Sequence, residues 1–126
     1  MTNCFPCLRY RDAAAAIDWL CEAFGFEVHA RYDGDDGTVA HAELAYDGGM
    51  IMLGSQPTEP DERYGDHTGQ GWSYVVIADA DAHHARAKAA GAEIVMELTD
   101  LDYGSRDYSA RDPEGNLWSF GTYRPG

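Results

Sequence analysis

Nothing in these 126 residues could cross a bilayer as a helix, because no apolar run reaches 18 residues. No basic stretch followed by an apolar one opens the chain either, so the expectation is a soluble protein that is not exported. Cysteine is scarce. Cys4, Cys7 and Cys21 are too few, and odd in number, for a disulfide framework, and they fit a reducing cytoplasm. Cys4 and Cys7 have C-x-x-C spacing, yet they open a strand instead of a helix, whose N-terminus would lower a redox thiol's pKa. No second such pair and no close pair of histidines completes a zinc set. Basic residues are also few: 9 Lys and Arg stand against 22 Asp and Glu, a net charge of −13. Residues 1–66 carry 13 acids and 4 bases (4 − 13 = −9), and residues 67–126 carry 9 and 5 (5 − 9 = −4). Such a field repels phosphate backbones and anionic headgroups, so neither nucleic acid nor a membrane is expected as a partner. It favours a cationic ligand, or it serves solubility alone.

What the chain does contain is a repeat about 66 residues long. AFGFEV at 23–28 returns as AAGAEI at 89–94, LRYRD at 8–12 as VVIAD at 75–79, and GGMIML at 48–53 as EGNLWS at 114–119. A repeat of this length is a duplicated α+β module, since solenoids stack three or more shorter units. Asp12 precedes Ala13, Ala16, Ile17, Leu20, Cys21 and Phe24, which share one helical face, and Gly25 follows as a left-handed stop. Asp79 and Gly91 bracket a second helix in the same way, with Ala82, Ala85 and Ala89 as its expected inner face and His83 and His84 on its outer one. Strands are expected over 26–32, 38–46 and 49–55, and again over 93–98, 106–111 and 116–123, with DGDDG (33–37), DGG (47–49) and DPEG (112–115) at the turns. Each module is therefore β-α-β-β-β. The first spans about residues 1–55 and the second 72–126. Residues 56–71, with two Pro, three Gly and no periodicity, read as the linker. Residues 1–126 form one domain by size, each half being too small to stand alone.

Paired modules of this kind resemble the glyoxalase / bleomycin-resistance / dioxygenase superfamily, the vicinal oxygen chelate proteins. The resemblance covers the whole chain, and its most specific pieces are RDPEGNLWSF (111–120) and AAIDWLCEAFGFE (15–27). It implies an α+β fold in which two tandem modules form a curved open mixed sheet around a cleft. Metal-dependent members place four ligands around that cleft, and the matching positions here are Phe5, Met52, Ser73 and Ser119. Neither Phe nor Met offers a hard donor, so no metal and no other cofactor is expected, and with the metal its Lewis acid and activated water disappear. The resemblance then favours the bleomycin-resistance type, acidic homodimers that sequester a small molecule in a groove without catalysis. A glyoxalase-like lyase or isomerase, or a dioxygenase-related enzyme, using non-standard residues is the alternative. A regulatory or assembly subunit without a small ligand is another.

His41 and Glu43 alternate on one strand and so share a face, where a His–carboxylate pair can do general acid–base work or simply line an edge. They are the catalytic candidates. The expected cleft takes Phe5, Cys7 and Arg9 from the first strand, Met50 and Met52 from the fourth, and Trp72, Ser73, Tyr103, Arg106, Tyr108 and Ser119 from the second module. Setting Ser119 toward the cleft sends Trp118 and Phe120 into the core. Trp72, Tyr103 and Tyr108 remain to stack on an aromatic or cationic ligand. Arg106 is placed to meet a carboxylate, or to pair with Asp102 or Asp107 at the surface.

Overall fold

A computed structural model describes residues 3–59 and 61–126; residues 1 and 2 of the first module and Pro60 of the linker lie outside it. The element order is β1 (Cys7–Tyr10), α1 (Ala13–Phe24), β2 (Glu27–Asp33), β3 (Val39–Tyr46), β4 (Gly49–Ser55), β5 (Trp72–Val76), α2 (Ala80–Ala89), β6 (Glu93–Asp100), β7 (Arg106–Arg111) and β8 (Leu117–Gly121). This is β-α-β-β-β twice, as the repeat requires. The strands form two open four-stranded sheets, ordered β1-β4-β3-β2 and β5-β8-β7-β6. In each, the first strand pairs in parallel with the last and the remaining pairs are antiparallel. Asp47 and Gly48 close the β3–β4 hairpin with φ of 43° and 86°, the positive values a two-residue primed turn needs.

Helix α1 starts where Asp12 accepts a hydrogen bond from the Ala15 N–H and stops at Gly25, whose φ is 83°. Its ends are finished by the other module. The Glu114 carboxylate accepts from the Arg11 and Asp12 amides at 2.6 and 2.9 Å, beside the positive end of the helix. At the far end, the Arg86 guanidinium donates to the Glu22 and Cys21 carbonyls at 2.8 and 3.0 Å. The two modules thus share one helix's backbone valences as well as its apolar face.

Alternation along the strands decides what is inside. Leu8 and Tyr10, Ala42 and Leu44, Ile51 and Leu53, Tyr108 and Ala110, and Trp118 and Phe120 are buried, whereas their neighbours on the opposite faces are not, apart from Gly54, Asp107 and Gly121. The buried faces of both sheets belong to one continuous core with α1 and α2. Phe24 of α1 makes the join, its ring lying 4.6 Å from Phe120 and 5.7 Å from Trp118 of the second module. Each sheet therefore turns its other face away from the core, and these two open faces are where a ligand can be met.

Helix α2 corrects the sequence reading. Its buried residues are Ala80, His83 and Ala87, while Ala82, Ala85 and Ala89 are exposed. His83 is a core residue. Its Nε2 donates to the Phe24 carbonyl at 2.8 Å, which leaves Nδ1 as the acceptor for the Tyr108 hydroxyl at 2.5 Å. Burial, with a smaller push from Arg86, lowers the His83 pKa below its ordinary 6.5. The folded state thus prefers neutral His83, so the unfolded chain binds more protons once the pH falls below 6.5. The stability tied to this residue is complete above that value and is lost on acidification. We expect the melting temperature to fall between about pH 7 and 5.5, above the range where ordinary carboxylates titrate. His83→Gln should flatten that slope, and a slope unchanged in His83→Gln would assign it to other groups.

Candidate functional site

The open face of the first sheet carries Cys7 and Arg9 on β1, Met50, Met52 and Gly54 on β4, and His41 and Glu43 on β3. Register holds them side by side, since Cys7 pairs with Met52 and Met52 in turn with Glu43. Glycine is needed at position 54 because a Cβ there would meet Arg9 Nη1 at 2.7 Å and the Ala40 carbonyl oxygen at 2.9 Å. Its absence lets the guanidinium lie flat along the strand, within 3.4 Å of the Ser55 carbonyl. Over this floor the linker folds back. Cys7, Arg9, His41 and Met52 below, with Gln56, Pro57, Asp61, Tyr64 and His67 above, enclose a cavity of about 600 Å³. That is the size of a drug-like ligand, and its walls mix apolar surface with a few polar groups. The linker, expected only to connect, forms a wall of the site.

Beside this cavity, His41 Nε2 lies 2.9 Å from Glu43 Oε2, and His29 Nε2 lies 4.0 Å from the other carboxylate oxygen. One carboxylate is therefore flanked by two imidazoles, and the Tyr32 ring stacks on His41 at 6.2 Å. The shared face expected for His41 and Glu43 is real, and it is the open face.

The other expected cleft residues do not converge on this cavity. Phe5 precedes β1 and is 41% exposed. Met50 and Ser73 meet in a separate hollow of about 220 Å³, shared with Phe26 and Tyr46. Ser73 pairs in register with Trp118, so it faces the packed side, and Tyr74 is the residue that sits beside Ser119 on the open side. Trp72 is 75% exposed and donates its indole N–H to Ser119 Oγ at 3.0 Å, and Ser119 also touches Ser109 Oγ at 3.2 Å. Tyr103 packs edge-to-face on Tyr123 at 5.5 Å, at one end of the second sheet. Arg106 is paired with Asp81 and Asp100 at 3.1 and 3.0 Å, not with Asp102 or Asp107.

Tyr108 must be removed from the site. It is 0% exposed, stacked on Phe120 at 5.1 Å and bonded to His83, and burial pushes its phenol above the ordinary value. A Tyr two residues from Arg106 reads in the sequence as a surface aromatic, but strand alternation sets Tyr108 beside Ala110 in the core.

A divalent metal, which the resemblance brings with it, does not fit the positions it would occupy. Phe5 offers no donor and Met52 only a soft thioether, Ser73 faces away, and Ser119 already accepts from the Trp72 indole. Among the described residues no three His, Cys, Asp or Glu side chains converge as a ligand set. No helix among them is long and apolar enough to cross a membrane.

Sequence and structure comparisons bear on the family and the fold. The profile of the Glyoxalase/Bleomycin resistance protein/Dioxygenase superfamily matches residues 5–120. The crystal structure of TioX from Micromonospora sp. ML1 superposes with a TM-score of 0.82 at 36% identity, over 98% of this chain and 100% of that one. The uncharacterized protein Rv0887c of Mycobacterium tuberculosis is 35% identical over 121 residues, covering 92% of this chain and 71% of that protein. A glyoxalase/bleomycin resistance protein from Streptomyces sp. CB03234 shares the fold, with a TM-score of 0.70 at 23% identity over 94% of this chain and 98% of its own.

Proposed function

Since the chain belongs to the glyoxalase/bleomycin resistance protein/dioxygenase superfamily, we propose that it binds and sequesters a small aromatic or cationic molecule, in the bleomycin-resistance manner and without a metal. The observation that carries this reading is the cavity of about 600 Å³ between the first sheet's open face and the linker. Its floor of Cys7, Met52 and the Arg9 stem offers soft contact surface, Tyr64 offers a ring, and the charge of −13 draws cations toward the molecule.

The same reading includes a homodimer. Both open faces point away from the shared core, so one chain presents two separate walls and encloses a ligand on two sides only where the linker reaches. Exposed Tyr32 and Val28 on the first sheet and Trp72 and Tyr74 on the second are apolar surface that a second chain would cover. Light scattering is then expected to give about 28 kDa, twice the 13.8 kDa chain.

The test uses proflavine, a flat cationic dye, followed by its own fluorescence. Binding should weaken only partly between low and physiological salt, because Coulomb attraction is screened and stacking is not. Met52→Arg places a long cation on the cavity floor and should weaken binding roughly ten-fold or more without a large change in melting temperature. Proflavine that binds Met52→Arg as it binds wild type would place the ligand elsewhere. A second reading, acid–base catalysis, draws on the carboxylate shared by His41 and His29. It requires that Glu43→Gln abolish turnover of a substrate that still binds.

A further inference from the structure

Asp107 is a carboxylate where one is not expected. It lies on β7 facing the open side of the second sheet, in register with Gly121 and only 7% exposed. Side chains of this kind are seldom buried unless a positive charge or several donors accompany them. Its Oδ1 takes a short hydrogen bond from the Ser105 hydroxyl, and Ser105 is itself held by the Tyr123 amide at 3.0 Å. Its Oδ2 takes no hydrogen bond from any described residue, and no cation forms an ion pair with it; the neighbouring Arg106 is engaged by Asp81 and Asp100. No described side-chain oxygen is sealed from solvent without a partner, so Oδ2 remains reachable from outside.

The surroundings hold this carboxylate in place. A Cβ at Gly121 would meet Asp107 Oδ1 and, at 2.6 Å, the Tyr74 hydroxyl, so glycine there opens the niche both occupy. The Tyr74 hydroxyl is fixed in turn by donating to the Tyr123 carbonyl at 2.7 Å. Three rings rise around the niche, Tyr74, Tyr103 and Tyr123, at 39%, 60% and 49% exposure. Partial desolvation first, and the Asp107 charge after it, raise the Tyr103 phenol above its ordinary value, which puts that ring within electrostatic reach of the carboxylate. Aromatic faces attract cations, and a carboxylate oxygen with a free lone pair accepts a charge-assisted hydrogen bond. An anion would be repelled here, and a neutral group would leave the charge uncompensated.

We propose that Asp107, walled by Tyr74, Tyr103 and Tyr123, is the subsite for a protonated primary amine of a small-molecule ligand. This rests on the reading of the open faces as ligand-binding surfaces and adds the chemical group the second one selects. The positive charge has two conceivable sources, the small molecule or a Lys or Arg of a second copy, and we assign it to the small molecule.

The test compares phenethylammonium with 2-phenylethanol, alike in shape and different in charge, by titration calorimetry on the intact chain. Wild type should bind the amine roughly ten-fold or more tightly than the alcohol, and Asp107→Asn should remove the difference. Because Asn relieves an unpaired buried charge, Asp107→Asn without ligand should melt at or above the wild-type temperature. Tyr103→Leu should weaken the amine by roughly three-fold and leave melting unchanged. An amine bound no better than the alcohol overturns the proposal, as does a preference that survives in Asp107→Asn. A marked fall in the melting temperature of Asp107→Asn would make the carboxylate structural. A change from dimer to monomer in that variant would give the cation to a second copy, and either result overturns the assignment. If proflavine responds to Met52→Arg while the amine preference is missing, the subsite fails and the cavity reading stands. The opposite pattern sinks the cavity reading alone.

Discussion

Asp112→Ala should cost the domain about 4–6 kcal/mol of stability, the largest effect we expect from a single substitution. Asp112 is 4% exposed and is the hub of the turn DPEGN. Its Oδ2 accepts from the Tyr10 hydroxyl at 2.6 Å and from the Trp118 indole and the Asn116 amide side chain at 3.1 Å each. Its Oδ1 accepts from the backbone N–H groups of Glu114 and Asn116 at 3.0 and 3.1 Å. Alanine would strand the Tyr10 hydroxyl and the Trp118 indole in the interior, and each buried donor left without an acceptor costs about 1–3 kcal/mol. With the turn's backbone bonds lost as well, a total of about 4–6 kcal/mol falls on a domain whose whole stability is of the order of 5–15. Urea unfolding followed by circular dichroism measures it. Asp112→Asn keeps an acceptor and should cost roughly half as much. A midpoint for Asp112→Ala close to wild type would mean that this turn is peripheral to folding.

A chain ending at residue 70 is expected to be unfolded or aggregated, although it contains a complete β-α-β-β-β module. Phe24 is 0% exposed, and three of the rings packed on it, Trp118, Phe120 and His83, lie beyond the cut. The same cut removes Glu114 and Arg86 from the two ends of α1. A module of this size buries too little apolar surface to offset its chain entropy once that cover is gone. Far-UV circular dichroism and a thermal scan test the expectation. A soluble fragment with a sharp transition would show two domains where we describe one core.

The fold was legible because two independent signals agreed, the internal repeat and the alternation along each strand. Asp12 and Gly25 marked the ends of α1, and Trp118 and Phe120 were placed in the core through their alternation with Ser119. Helix α2 was not legible, for a physical reason. Alanine recurs at 80, 82, 85, 87, 89 and 90 and covers every side of the cylinder, so no apolar stripe distinguishes the inner face, and His83 reads as a surface residue. The open face was legible on the first module and less so on the second. Cys7, Arg9 and Met52 follow from the period of β1 and β4. On β5, Trp72 and Ser73 are both expected in the cleft from the sequence, yet neighbours on a strand face opposite sides, so only one of them reaches the open face. Counting from Trp72 would have brought Tyr74 beside Ser119. Asp107 left no sequence signal, because an acid on an exposed strand and one buried beneath three tyrosines read alike. The linker's part as a wall depends on how far it folds back, which composition does not encode.

The division of β1, β3, β4, β7 and β8 between a packed face and an open one also sets how such a chain can change over generations. Leu44, Leu53, Trp118 and Phe120 are buried and answer to folding; Glu43, Met52 and Ser119, each one residue away, are only partly buried on the open faces. Substitutions on the open face remove little buried contact, so most should lie within about 0.5 kcal/mol of neutral. Binding preference can drift through many sequences while the scaffold stays above its folding threshold. Asp107 is the exception. Among the described residues it is the one acid nearly buried on the open face, and if Asp107→Asn melts at or above the wild-type temperature, a lineage that no longer needed the charge would be free to make that exchange.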